Sequence, residues 1–207
     1  MEEPPWRVTG NCMTSDKRSS GARTPPGTDG IWTFVFIDMI VFSLFFAVYL
    51  SERLRLPGVF AASQSHLDPK FGLVNALILL TSSLFVAEAV AAARLGKATL
   101  VRARLALALA CGAMFSASKL TEYVGKFAAG ITPVTNSFYS LYFLLTMIHF
   151  LHVLAGMVFI AHCLGRARVE AGLTVFVAKL ENTGLFWHFV DLLWLFLFPL
   201  LYLAGPK

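Results

Sequence analysis

An imidazole and a carboxylate lie within an otherwise apolar stretch near the C-terminus. His188 and Asp191 are the ionisable side chains between Trp187 and Phe196. Because residues three positions apart share one face of a helix, these two side chains could satisfy each other inside a membrane. An aspartate at the centre of a bilayer costs roughly 2.5 to 3.5 kcal/mol, so we expect this carboxylate to have a partner.

Four further ionisable residues lie inside apolar stretches: Asp38, Glu88, His149 and His152. Imidazoles and carboxylates are ligands of zinc and non-haem iron, so a metal site is one interpretation. Metal-binding bundles usually bring a Glu-x-x-His pair from each of two helices, whereas here the patterns are His-x-x-His and His-x-x-Asp. We therefore expect no metal and favour hydrogen bonds between helices, which in membranes contribute about 0.6 kcal/mol each on average. A proton-conducting role, chiefly for Asp38 and Glu88, stays open because carboxylates inside a membrane are candidates for it.

A second cluster of charges is predicted from Lys119, Glu122, Tyr123 and Lys126. Glu122 follows Lys119 by three positions and precedes Lys126 by four, so both ammonium groups can reach its carboxylate along one helix face. With Tyr123 in the aromatic belt, this pattern is typical of an ion-pair cap at a membrane surface. The sequence predicts a catalytic role for neither cluster.

The elements that hold these residues are predicted to be membrane-spanning helices. Of the 207 residues 57% are hydrophobic and 14% are charged, which leaves too little polar surface for a soluble domain. A spanning helix needs about 20 mainly apolar residues. Five stretches qualify: residues 31–50, 71–93, 103–123, 137–164 and 184–203. The predicted fold is therefore all-α, a polytopic bundle of five transmembrane helices over residues 31–203.

The distribution of basic residues predicts the orientation of this bundle. Residues 1–30 have no apolar segment of the kind a signal peptide requires, and their composition predicts a disordered cytosolic tail. Most Lys and Arg residues lie in this tail, between the second and third spans, and between the fourth and fifth. Since basic residues are retained on the cytoplasmic side, we expect the N-terminus inside and the C-terminus outside. The net charge of +5 follows from this distribution, so we predict no nucleic-acid partner.

Positions along the spans can be converted into depths once their directions are set. A rise of about 1.5 Å per residue places the six ionisable residues in the cytoplasmic half of a core about 30 Å thick. We therefore predict one polar layer there, made by Asp38, Glu88, His149, His152, His188 and Asp191.

Three tryptophans, Trp32, Trp187 and Trp194, are predicted to contact lipid. The reason is that tryptophan is enriched at the two membrane interfaces, where its ring is apolar and its N–H reaches water. Which lipid they contact cannot be derived from tryptophan alone.

Three separated motifs resemble subunit III of the haem-copper oxidase superfamily. In chain order they are Glu122-Tyr123, then His149-Phe150-Leu151-His152-Val153 with Gly156, then Trp187-His188-Phe189-Val190-Asp191 with Trp194-Leu195-Phe196. The resemblance runs from Gly30 to Leu203, and the number of spans agrees with the five-helix bacterial form of the family. Within it, residues 119–127 and Asp38-Met39 are similar to the NorE-like branch, which is associated with nitric oxide reductase.

The resemblance implies a non-catalytic accessory subunit of the bacterial cytoplasmic membrane, with no cofactor of its own. Its partner would be the catalytic subunit of a haem-copper oxidase or nitric oxide reductase, which holds the haem and metals. The resemblance also implies bound phospholipid in a cleft between the first two spans and the rest, and a role for Asp38 in proton uptake by the catalytic subunit. An alternative from the residues alone is a free-standing small transporter or ligand-binding membrane protein that uses the polar layer. Transporters commonly show broken helices and internal symmetry, and neither is evident in the sequence.

Overall fold

The computed structural model describes residues 27–203 of the chain. The predicted tail, residues 1–30, therefore falls outside the described residues except for its last four. Of these, Asp29 and Gly30 already belong to the first helix. Residues 204–207 also lie outside the described part.

The described residues form six α-helices and one π-helical turn, with no strand among them. The helices are α1 (Asp29–Arg55), α2 (Pro57–Gln64), α3 (Pro69–Arg94), α4 (Ala98–Ala128), α5 (Ser137–Glu170) and α6 (Thr174–Phe198), and the π turn is Pro199–Leu203. Within this part of the chain, α1, α3, α4, α5 and α6 with its π turn are long and apolar enough to cross a membrane. The predicted all-α fold with five spans is confirmed. The short helix α2 was not predicted, and no observation here tests the orientation of the termini.

Local sequence signals explain where α3 and α5 begin. The Asp68 side chain accepts a hydrogen bond from the Lys70 N–H at 2.9 Å, with Pro69 in the first helical position of α3. The Asn136 side chain does the same at the start of α5, accepting from Tyr139 N–H at 2.9 Å. These caps satisfy N–H groups that have no partner inside the helix.

The turn between α3 and α4 approaches the turn between α5 and α6 at glycines, at the end of the bundle opposite the starts of α3 and α5. Gly96, between α3 and α4, and Gly172, between α5 and α6, both have positive φ angles, of 67° and 95°. A Cβ atom at Gly172 would lie 3.1 Å from the Gly96 Cα. Glycine allows both the backbone conformation and the close approach, since it has no side chain.

The core of the bundle is formed by α3 to α6, and α1 lies at its side. α3 packs along α4 and α6, α5 packs along the same two helices, and α1 contacts chiefly α5 and α6. The expected cleft that would separate the first two spans from the others is therefore wrong for the described residues. α3, the second span, is an integral part of the core, and only α1 is peripheral.

Two of the three tryptophans predicted to contact lipid are buried inside this core. Trp187 is 0% exposed and Trp194 is 1% exposed. Trp187 fits against Gly156, where a Cβ atom would come within 2.5 Å of its ring. The indole N–H groups donate to Ser82 Oγ at 3.1 Å and to the Gly72 carbonyl at 3.4 Å. The lipid-contact prediction is wrong for both, because Trp187 fills the space left by glycines on facing helices and the Trp194 N–H is turned to a backbone carbonyl of α3. Trp32 of α1 is 44% exposed, and its contact with lipid stays a prediction.

Candidate functional site

The six residues of the predicted polar layer do not form one network. The structure brings two of them, Asp38 of α1 and His152 of α5, into direct contact, with 3.4 Å between Asp38 Oδ2 and His152 Nε2. The other ring nitrogen, Nδ1, lies 2.8 Å from the Ile148 carbonyl. A carbonyl can only accept, so Nδ1 carries a hydrogen. Asp38 Oδ2 makes no hydrogen bond among the described residues, so its contact with His152 is a close approach of two ionisable groups inside the bundle.

An apolar groove of about 460 Å³ lies beside this pair, between α1, α5 and α6. His152 is its polar member, and the other lining residues are Ile31, Phe34, Leu151, Ala155, Phe159 and Phe186. The rings of Phe42 and Phe186 flank the imidazole, with centroids 5.7 Å and 6.3 Å from its own. His152 therefore lies at the wall of a groove whose lining suits a hydrocarbon chain, with Asp38 as its neighbour behind that wall.

His188 and Asp191 do not satisfy each other, and this part of the prediction is wrong. The His188 imidazole is exposed and contacts the Ser83 hydroxyl of α3 through Nδ1. Asp191 is 5% exposed, and neither carboxylate oxygen has a hydrogen-bond partner among the described residues. At about 100° of rotation per residue, side chains three positions apart leave the helix about 60° apart. His188 therefore reaches the edge of the α3–α6 contact, while Asp191 enters the core.

The remaining two members are also separate from the pair. Glu88 of α3 forms an ion pair with Arg104 of α4, at 3.0 Å, and its side chain is 41% exposed. His149 is fully buried against the rings of Phe115 and Trp194, at centroid distances of 5.8 Å and 5.2 Å. Neither of its nitrogens has a hydrogen-bond partner in the described part of the chain. Between residues 27 and 203 no three His, Cys, Asp or Glu side chains converge as a metal site would require.

The second predicted cluster is brought together and is more deeply buried than an interfacial cap. The Lys119 side chain is 0% exposed, and its Nζ donates to Glu122 Oε2 at 2.9 Å. It also lies 3.3 Å from the hydroxyls of Tyr142 and Tyr202. Both tyrosines donate to Glu122 Oε1, at 2.6 Å and 2.8 Å. Lys126 Nζ is 3.9 Å from the same oxygen.

Tyr142 and Tyr202 were missed by the sequence interpretation. They come from α5 and from the π turn, so they tie two further elements to α4. The signal was available, because the depth argument places both hydroxyls in the half of the membrane that holds Glu122. Tyr123, which was predicted, contributes its ring and not its hydroxyl, which donates to Thr146 Oγ1 at 2.9 Å.

Lys119 is held by aromatic faces as well as by hydrogen bonds. Its ammonium lies 5.1 to 5.9 Å from four ring centroids, those of Tyr123, Tyr142, Trp194 and Tyr202. Such contacts stabilise a desolvated cation by about 2 kcal/mol or more. The cluster therefore joins α4, α5 and the π turn through the buried Lys119 ammonium and the groups that bind it.

Residues 24–206 match the family described as cytochrome c oxidase subunit III. The relatives include the cytochrome bo(3) ubiquinol oxidase subunit 3 of Pseudomonas putida, which is 32% identical over 179 residues and aligns 85% of this chain with 84% of its own. The subunit of the same name from Buchnera aphidicola is 26% identical over 199 residues, covering 96% of this chain and 94% of its own. A probable quinol oxidase subunit 3 of Staphylococcus aureus is 29% identical over 199 residues, covering 93% and 98%.

Proposed function

The chain belongs to the cytochrome c oxidase subunit III family, and from this premise we propose that it packs against the catalytic subunit of a haem-copper quinol oxidase. As a member of this family it is a multi-pass membrane protein and a non-catalytic subunit of an oxidase complex. The observation that carries the proposal is the match over the whole described bundle, residues 27–203. The haem and metals are assigned to the partner subunit. The chain itself is assigned to the cytoplasmic membrane of a bacterium.

Oxygen is the proposed substrate of the partner enzyme. The relatives reported above are named as quinol oxidase subunits, and this supports oxygen over nitric oxide. The similarity of residues 119–127 to the NorE-like branch stays a prediction. Nitric oxide reduction is therefore kept as an outcome of the functional test.

Within this function, the groove between α1, α5 and α6 is proposed to hold a phospholipid acyl chain. Its lining is apolar except for His152, and its volume of about 460 Å³ accommodates a chain of many methylenes. A lipid held there would lie between α1 and the core, where the helix contacts are fewest. It would stabilise the position of α1 and hence that of Asp38.

Asp38 is proposed to support proton uptake by the catalytic subunit. Support comes from its contact with a second ionisable group, His152, and from the exposure of neighbouring α1 residues toward a partner or lipid. Ionisable groups inside a membrane are commonly part of proton relays. The buried residues His149 and Asp191 are given no part in this path, because neither contacts the Asp38–His152 pair by hydrogen bonds.

We expect Asp38→Asn to leave the complex assembled and to lower its sustained turnover several-fold. The amide keeps the size and a polar contact with His152 but cannot exchange a proton. Oxygen consumption by the purified complex, together with its yield, measures both effects. Glu170→Gln is the matched control, since it makes the same chemical change in the surface ion pair with Arg166, and it should leave turnover unchanged. Equal turnover of Asp38→Asn and the wild type would contradict the proton role.

Co-purification tests the proposed function as a whole. A tagged copy of the chain, extracted in mild detergent from its native membrane, is expected to carry a haem-containing large subunit in equal amount. A visible spectrum detects the haem, and oxygen and nitric oxide electrodes identify the substrate of the complex. A colourless, monodisperse chain that binds a small solute would instead support the alternative, a free-standing transporter or ligand-binding protein.

A further inference from the structure

A pocket of about 280 Å³ lies where the turn between α2 and α3 meets the C-terminal end of α4. It is lined by His66, Asp68, Phe71, Thr121, Glu122 and Lys126. The pocket is on the opposite end of the bundle from the Gly96 and Gly172 turns, and it is separate from the groove beside Asp38. The distribution of basic residues predicts that this end faces outward.

The inner wall of the pocket presents an ammonium group that makes no hydrogen bond among the described residues. Lys126 is 9% exposed, its ion pair is the 3.9 Å contact with Glu122, and its Nζ lies 5.1 Å and 6.0 Å from the ring centroids of Tyr142 and Tyr139. That distance is longer than a charge-assisted hydrogen bond, which is about 2.7 to 2.9 Å. Glu122 is already occupied by Lys119 and by the hydroxyls of Tyr142 and Tyr202. A buried ammonium without a hydrogen bond favours an anionic acceptor in the pocket.

The outer wall of the pocket, formed by the turn between α2 and α3, presents hydrogen-bond acceptors. His66 Nδ1 lies 2.8 Å from the Ala62 carbonyl, so Nδ1 carries the hydrogen and Nε2 of the neutral ring is an acceptor. One oxygen of Asp68 accepts the Lys70 N–H at the start of α3, and the exposed carboxylate can accept further hydrogen bonds. This wall therefore favours a cation that can donate N–H groups.

The pocket lies at the level of lipid headgroups. α4 has 31 residues, and at a rise of about 1.5 Å per residue it is about 46 Å long, compared with about 30 Å for the hydrocarbon core. Lys126 lies two residues before the end of α4, and Asp68 directly precedes α3. The exposed ring of Phe71 lines the same pocket and offers an apolar surface below the polar groups.

We propose that this pocket binds a phospholipid whose phosphate is followed by a primary ammonium, the headgroup of phosphatidylethanolamine. The phosphate accepts from Lys126, and the ammonium donates to Asp68 and His66. Phosphatidylcholine presents the same charges, but its quaternary ammonium has no N–H to donate. Phosphatidylglycerol has no cation and would leave the acceptor wall unmatched beside the Asp68 and Glu122 carboxylates. The site is independent of the proposed oxidase partner.

Native mass spectrometry of the full chain in detergent tests this assignment. The three lipids, with identical acyl chains, are titrated separately. We expect phosphatidylethanolamine to bind at least about tenfold more tightly than the other two, since a single charge-assisted hydrogen bond is sufficient for such a ratio. Lys126→Met should weaken the binding of all three lipids, because each presents the phosphate that this ammonium holds. Lys97→Met, at an exposed position in the turn between α3 and α4, should leave it unchanged.

A second variant separates lipid recognition from folding. Asp68→Asn retains a residue that caps α3 well but replaces an acceptor-only group by one that also donates. We expect it to reduce the ratio between phosphatidylethanolamine and phosphatidylcholine affinity while phosphate binding persists. Equal binding of the three lipids by the wild type, or an unchanged ratio in Asp68→Asn, would overturn the proposal. Soluble phosphoethanolamine that binds as tightly as the lipid would overturn the assignment to a membrane lipid.

Discussion

Glu122→Ala is expected to destabilise the folded chain by roughly 3 to 5 kcal/mol, the usual cost of removing one partner of a buried ion pair. Lys119 would remain completely buried without its carboxylate partner, and the two tyrosine hydroxyls would lose the carboxylate to which they donate. The aromatic faces around the ammonium would remain but cannot replace its hydrogen bond. The free energy of unfolding, measured by circular dichroism during titration with sodium dodecyl sulfate in mixed micelles, checks this value.

The double variant Lys119→Met/Glu122→Ala distinguishes a lost charge balance from a simple loss of packing. The methionine carries no charge and fills the space between the four aromatic rings around position 119. We therefore expect the double variant to recover much of the stability that Glu122→Ala loses. Glu170→Ala is the surface control, since it breaks the Arg166–Glu170 pair on the exposed end of α5, where such pairs contribute at most about 1 kcal/mol. A Glu122→Ala loss as small as that of Glu170→Ala would contradict the buried role of the cluster.

The spans were predictable because the membrane imposes a simple requirement. Every backbone N–H and C=O inside hydrocarbon must be paired within the segment, so a long apolar stretch has to be a helix. The ends of the helices were predicted less accurately, because this requirement applies only inside the hydrocarbon. Outside the hydrocarbon, helix α5 continues through polar residues to Glu170, beyond the predicted 137–164, and hydropathy does not detect this extension.

A shared level was predictable for Asp38 and His152, but rotation about each helix axis was not. The rise per residue fixes the level of Asp38 and His152, and the structure does bring that pair together. Which of His188 and Asp191 reaches Ser83 and which enters the core depends on how α6 is rotated against α3, which packing sets. The same limit explains Trp187, since the sequence shows Gly156 as a small residue but does not say which ring on another helix fills the space.

Trp187→Ala is expected to cost roughly 3 to 5 kcal/mol of stability, as for other buried aromatic residues truncated to alanine. The indole is completely buried against Gly156 and Gly112 of two neighbouring helices, so its removal leaves a cavity between α4, α5 and α6. Trp187→Phe should cost less, because the ring is largely retained while the N–H donor to Ser82 is lost. The measurement is again unfolding in mixed micelles.

Trp32→Ala is the comparison that separates a core tryptophan from one at the membrane surface. Trp32 is 44% exposed on the peripheral helix α1, so its truncation should lower the free energy of unfolding by much less than that of Trp187. Tryptophans that contact lipid anchor a helix at the interface, whereas one that fills a glycine-lined space between three helices determines how those helices pack. Equal, small losses for the two alanine variants would mean that Trp187 faces lipid, and would contradict the packing of α6 against α4 and α5.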